Sequence, residues 1–105
     1  MLCNLEQVSP LPHEVITFLR NIALDTNVER IIVFGSRALG DYEVYSDLDL
    51  AIDAPNISKS SWLKLREYVT YDLRTVLKIS LVSYSTNPIS LKERINKTGK
   101  EIYVK

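Results

Sequence analysis

The sequence has few of the features that indicate secretion, membrane insertion or a polyanionic partner. It contains one cysteine, Cys3, so an internal disulfide cannot form, which is typical of a reducing compartment. Thirteen basic residues balance thirteen acidic ones, and without a surplus of positive charge we do not expect direct nucleic-acid binding. No apolar run approaches the length of a membrane span, and the N-terminus lacks a signal-peptide pattern. These absences predict a cytoplasmic protein that does not bind a membrane.

The length of 105 residues predicts a single domain, 1–105, with one modest core. Apolar residues at helical spacing predict a helix over about 11–24, a second over about 60–75 and a third that ends near 98. Runs rich in β-branched residues predict strands over 29–34, 45–53 and 77–84, and a closing extended segment over 102–104. The order of these elements predicts an α/β (α+β) fold, in which a small mixed β-sheet has helices packed against one face.

Positive charge is missing from the segment 41–53, which nevertheless contains five carboxylates. They are Asp41, Glu43, Asp47, Asp49 and Asp53. Like charges repel one another, and burial adds to the cost, so a cation is expected beside them, for which a divalent metal is the best candidate. The alternative is a βαβ-type turn whose acidic residues are merely solvent-exposed surface residues.

The alternation of polar and apolar residues over 46–52 predicts a half-buried strand. Asp47 and Asp49 then project from one face, with Cα atoms roughly 6.5–7 Å apart. Magnesium prefers oxygen ligands and is usually held by one or two carboxylates together with substrate phosphates, so we predict that this pair binds Mg²⁺ and is catalytic. Asp53 has the same parity but lies roughly 13 Å beyond Asp49, too far to join the pair.

Gly35, Ser36 and Arg37 follow directly after the first predicted strand and form the predicted phosphate-binding segment. Glycine permits close approach of a phosphate, and Ser36 offers a hydroxyl and a backbone N–H at a helix start, where anions are favoured. Arg37 adds a fixed positive charge. Together with the carboxylate pair, these residues predict a site for a nucleoside triphosphate and magnesium.

The pattern G-S-x10-D-x-D, within F-G-S-R-A-L-G and S-D-L-D-L-A-I, resembles the minimal nucleotidyltransferases of the polymerase-β-like superfamily. The resemblance covers residues 34–52 and is greatest to the small proteins that pair with HEPN-domain toxins as antitoxins. It implies an enzyme that uses Mg²⁺ and ATP to transfer AMP to a hydroxyl, the acceptor being a tyrosine of a partner HEPN toxin. Transfer to a small molecule such as an antibiotic is disfavoured, because such enzymes carry an additional substrate domain.

One position departs from the pattern of this family. Relatives commonly carry a third carboxylate on the strand that corresponds to 77–84, and by register that place is occupied here by Ser80. A serine cannot act as a general base at neutral pH, and no Asp or Glu occurs between Arg74 and Lys92 to replace it. The alternative hypothesis is therefore an antitoxin that binds nucleotide and neutralises its partner by binding, with little or no turnover.

Overall fold

The described residues form one four-stranded sheet and four α-helices around it. The computed structural model describes residues 2–8, 10–40 and 46–105. The strands are β1 (Arg30–Phe34), β2 (Leu48–Asp53), β3 (Ile79–Ser83) and β4 (Lys100–Val104). The helices are α1 (His13–Ala23), α2 (Ser36–Leu39), α3 (Lys59–Glu67) and α4 (Ile89–Thr98), and a π-helical turn (Tyr68–Asp72) continues α3. Within the described residues, every helix is too short or too polar to cross a bilayer.

Local sequence signals account for where several elements begin and end. The Ser58 hydroxyl caps α3 by accepting a hydrogen bond from the Ser61 N–H at 3.1 Å, which satisfies one of the donors left unpaired at a helix start. Gly40, with φ of 85°, ends α2 in the left-handed region that glycine adopts without steric cost. Pro88 precedes α4, and its fixed φ suits a helix start.

The sheet is mixed, and its strand order is β3-β2-β1-β4. The central strand β1 runs antiparallel to both β2 and β4, whereas β2 runs parallel to β3. The connection between β2 and β3 contains α3, as a parallel pair requires a crossover rather than a tight turn. This order places β2, the strand that contains Asp49, between β1 and the outer strand β3.

The two faces of the sheet are covered by different helices. The larger hydrophobic cluster lies on the face of Ile31, Val33 and Leu50, where α1, α3 and the π-helical turn pack. The opposite face carries a smaller cluster of four buried residues, namely Ile32, Phe34, Ala51 and Ile95. Because Ile95 belongs to α4, this helix covers part of the second face, next to β1.

The predicted α+β fold with a small mixed sheet is confirmed. α1 and α3 pack against one face of the sheet, as predicted, whereas α4 packs against the other face. The predicted helix over 60–75 was too long: α3 ends at Glu67, and the π-helical turn that continues it ends at Asp72. The pattern failed there because the chain switches to π-type bonding, in which the Leu73 N–H donates to the Tyr68 carbonyl.

Candidate nucleotide and metal site

Asp49 lies in the middle of the sheet, on the face that α4 covers only in part. Its neighbour on β1 is Phe34, and its neighbour on β3 is Ser80. Directly paired residues project from the same face, so the Asp49 side chain shares its face with Ala51, Phe34 and Ser80. The structure thereby places Ser80 beside Asp49, at the register that the sequence predicted for the missing third carboxylate.

Gly35 is in close contact with the Asp49 carboxylate. A methyl group built on Gly35 would overlap Oδ2 of Asp49, and its φ of 73° lies in the region that residues with a side chain rarely adopt. Glycine is therefore required here for two independent reasons, one conformational and one steric. Because Gly35 has no side chain, the Asp49 carboxylate can lie against the backbone at the start of α2, where the predicted phosphate-binding segment begins.

Asp47 lies immediately before β2, which starts at Leu48 rather than at the predicted residue 45. The Leu48 N–H donates to the Lys78 carbonyl at 2.8 Å, and this bond fixes the entry to β2 against β3. Burial raises the pKa of the Asp49 carboxyl above its ordinary value of 3.8, and the Asp47 charge raises it further, while Arg94 of α4 partly lowers it. The charges of the two carboxylates thus interact unfavourably in the metal-free protein.

Arg37 occupies an unexpected position. Its side chain is only 5% exposed, and its Nε donates to the Ser46 carbonyl at 3.1 Å. This bond links α2 to the segment that leads into Asp47. The phosphate contact predicted for Arg37 stays a prediction, and the structure adds a positioning role that the sequence pattern did not reveal. Ser36, the first residue of α2, is half-buried, and its predicted phosphate contact also remains a prediction.

The remaining acidic residues of the motif are accounted for differently. Asp53 pairs with Arg30, whose Nε lies 2.9 Å from Oδ2, so this carboxylate already has a cation. Asp41 and Glu43 lie outside the described residues. Within the part of the chain that the structure describes, no group of three His, Cys, Asp or Glu side chains could hold a metal ion. Two carboxylates are enough for Mg²⁺ when substrate phosphates complete its coordination, so the donor set of Asp47 and Asp49 fits this metal.

Comparison with known proteins identifies the family. A family model described as polymerase beta, nucleotidyltransferase, matches residues 15–105. The chain belongs to this nucleotidyltransferase family. The resemblance that the sequence motif indicated is therefore confirmed. No curated protein matches the chain.

Solved structures share the nucleotidyltransferase fold at low sequence identity. A toxin–antitoxin complex with AMP-PNP matches with a TM-score of 0.64 and 21% identity, over 88% of this chain and 72% of that chain. One chain of a complex between a tri-AMPylated HEPN toxin from Shewanella oneidensis and an MNT antitoxin matches with a TM-score of 0.55 and 20% identity, over 88% of this chain and 68% of that chain. A nucleotidyltransferase from Sulfolobus solfataricus matches with a TM-score of 0.56 and 23% identity, over 88% and 78%.

The contact between Gly35 and Asp49 leads to a first prediction. Gly35→Ala should displace the Asp49 carboxylate and abolish Mg²⁺-dependent ATP binding measured by calorimetry. Gly40→Ala is the matched control, because Gly40 also has a positive φ, of 85°, but among the described residues no atom lies within 4 Å of the added methyl group. Both variants lose stability from backbone strain, about 1–3 kcal/mol. Equal loss of ATP binding in the two variants would show that strain, and not the carboxylate contact, is responsible.

The raised pKa of Asp49 leads to a second prediction. A carboxyl group whose pKa is higher in the folded state than in the unfolded state destabilises the folded protein when it is ionised. This destabilisation is absent below pH 3.8 and grows as the pH rises through the pKa of the folded state. Asp49→Asn should therefore raise the melting temperature of the metal-free protein at pH 7, by a margin that shrinks toward zero at acidic pH. Asp72→Asn removes a carboxylate from an exposed position and should not have this effect. A melting temperature that does not rise at pH 7 would contradict the assigned cost of ionising Asp49, which comes first from its burial and then from the charge of Asp47.

Proposed function

We propose that the protein is an antitoxin-type nucleotidyltransferase, which uses Mg²⁺ and ATP to transfer AMP to a tyrosine hydroxyl of a partner HEPN-domain toxin. The observation that carries this proposal is the position of the Asp49 carboxylate against Gly35, beside Asp47. This arrangement brings a metal-binding pair and the phosphate-binding segment into contact. The AMP-PNP complex and the AMPylated toxin among the structures with the same fold support the choice of nucleotide and acceptor.

The reaction follows from this geometry. The acceptor oxygen attacks the α-phosphorus of ATP, a new P–O bond forms, and the bond to the β-phosphate oxygen breaks, so pyrophosphate leaves and the hydroxyl proton passes to solvent or to a base. Asp47 and Asp49 would hold Mg²⁺, which when bound would supply charge neutralisation at the phosphates. Gly35 and Ser36 contact the phosphates, and the Arg37 bond to Ser46 holds the segment that precedes Asp47 in place.

A test of this function uses the carboxylate pair. The double variant Asp47→Asn, Asp49→Asn keeps the shape of both side chains but removes the charge that holds Mg²⁺. After incubation with the HEPN-type partner, ATP and Mg²⁺, intact-mass measurement should detect added AMP on the partner with the native protein and none with the double variant. Asp72→Asn is the control for loss of a carboxylate. Transfer that survives in the double variant would remove the pair from the reaction.

The second candidate function is neutralisation of the partner by binding alone, and Ser80 favours it. Ser80 is the β3 neighbour of Asp49, so the place from which a third carboxylate would accept the acceptor proton holds a neutral hydroxyl. Phosphoryl transfer depends mainly on positioning and on electrostatic stabilisation, so the absence of a base reduces turnover without preventing nucleotide binding.

Ser80→Asp separates these two functions. A carboxylate at this position can accept the proton of the acceptor, an effect that typically contributes roughly 10²–10⁴-fold where a base is used. We expect faster AMP transfer, together with a larger Mg²⁺-induced rise in melting temperature, because three carboxylates repel one another until the metal binds. Ser90→Asp makes the same change at an exposed position of α4 and should alter neither property. A larger Mg²⁺ response without faster transfer would favour neutralisation by binding.

A further inference from the structure

Helix α4 crosses the second face of the sheet obliquely and leaves two corners of that face open. It starts after β3 has ended, at one side of the sheet, and ends beside Val33, where β4 starts at the other side. Leu91 and Ile95 pack into the smaller hydrophobic cluster, so they mark the side of α4 that faces the sheet. The open corner at the start of β3 contains Asp49 of β2, and the open corner at the end of β4 contains Arg30 of β1.

One flank of α4 faces the corner that contains Arg30. Asn96 on this flank donates to the Tyr84 hydroxyl at 2.8 Å, and Lys92, one turn earlier, has its Nζ 5.6 Å from the centre of the Tyr84 ring. The guanidinium of Arg30 covers the same ring, 4.7 Å from its centre. Asn96 and Arg30 also line a small cavity together with Glu101. These contacts fix the rotation of α4 about its own axis.

Arg94 lies on the opposite flank of α4 and faces the corner that contains Asp49. Successive residues turn by about 100° around an α-helix, so Arg94 and Asn96 lie on opposite sides of the inward-facing Ile95. Burial and the Asp47 charge raise the pKa of Asp49, and the charge of Arg94 partly offsets them, as this placement requires. Arg94 is exposed and forms no direct ion pair within the described residues, so its guanidinium acts on Asp49 across a gap.

A cation at this position acts in opposite directions on a metal ion and on a nucleotide. Mg²⁺ held by Asp47 and Asp49 would lie close to Arg94, and the two positive charges would repel each other. Mg²⁺ that arrives with ATP is accompanied by phosphates, and the complex as a whole is negatively charged. Arg94 attracts this complex. The same side chain therefore disfavours the metal alone and favours the metal together with the nucleotide.

We propose that Arg94 makes metal binding at Asp47 and Asp49 depend on the nucleotide, by acting as the counter-charge of the carboxylate pair in the metal-free protein. This inference rests on the proposed function. The neutral Ser80 contributes to the effect, because one arginine offsets a larger part of the charge of two carboxylates than of three. Metal and nucleotide then bind together rather than one after the other.

Calorimetric titrations of the full chain, with MgCl₂ alone and with the Mg²⁺–ATP complex, test this dependence. Arg94→Gln should tighten the binding of Mg²⁺ alone about fivefold and weaken the binding of Mg²⁺–ATP by a similar factor, as one exposed charge interaction allows. Arg94→Lys keeps the charge and should behave like the native protein. Lys92→Gln is the matched control, because it removes one charge from the flank of α4 that faces Tyr84 and should change neither affinity.

A double-mutant cycle in the metal-free protein tests the interaction of Arg94 with Asp49 without any ligand. Arg94→Gln should lower the melting temperature at pH 7, because an attraction to the ionised Asp49 carboxylate is lost. The same substitution in the Asp49→Asn background should have a smaller effect, since that attraction is already absent.

Three results would overturn the proposal: equal Mg²⁺ affinity in the native protein and Arg94→Gln, including binding to neither; tighter Mg²⁺ binding that Lys92→Gln reproduces; or no coupling in the double-mutant cycle. Failure of the proposed function has a different signature. Binding of Mg²⁺–ATP would then persist in the double variant Asp47→Asn, Asp49→Asn, which retains Arg94.

Discussion

The contact between Gly35 and the Asp49 carboxylate is the constraint on which the site depends. It requires that a residue without a side chain follow β1, and that β1 and β2 pair in the register that places Phe34 opposite Asp49. A shift of one residue would turn Asp49 toward the hydrophobic cluster on the other face. The burial of Ile31, Val33, Leu48 and Leu50 on that face therefore fixes the position of Asp49 as well as the fold.

The unequal cover of the two faces explains why the site is accessible. α1 and α3 cover one face with the larger cluster, whereas α4 meets the other face mainly through Ile95. Asp49 lies on this second face and is only partly buried, which is enough to raise its pKa but leaves it open to a ligand. The helix that leaves the site open also brings Arg94 near Asp49, so the metal-free site already contains one compensating cation.

Sequence patterns predicted the elements and the face of the sheet from which Asp49 projects, because both depend on local alternation. The face of β2 and the position of Ser80 followed from period-two spacing, and the strand register agrees with both. The burial of Arg37 could not be predicted, since a charged residue beside a phosphate motif is expected at the surface, and its carbonyl partner comes from another segment. The end of α3 was missed because helical spacing does not distinguish α-type from π-type bonding.

Ser80 determines how much charge surrounds Asp49. A serine supplies no general base there, and it adds no charge to the repulsion between Asp47 and Asp49. Ser80 and Asp47 also line a pocket together with Arg66 and Lys78, and Asp47 is the one carboxylate among its lining residues. The charge of Asp47 therefore acts on both sides: it raises the pKa of Asp49, and it lies beside the two cations of that pocket.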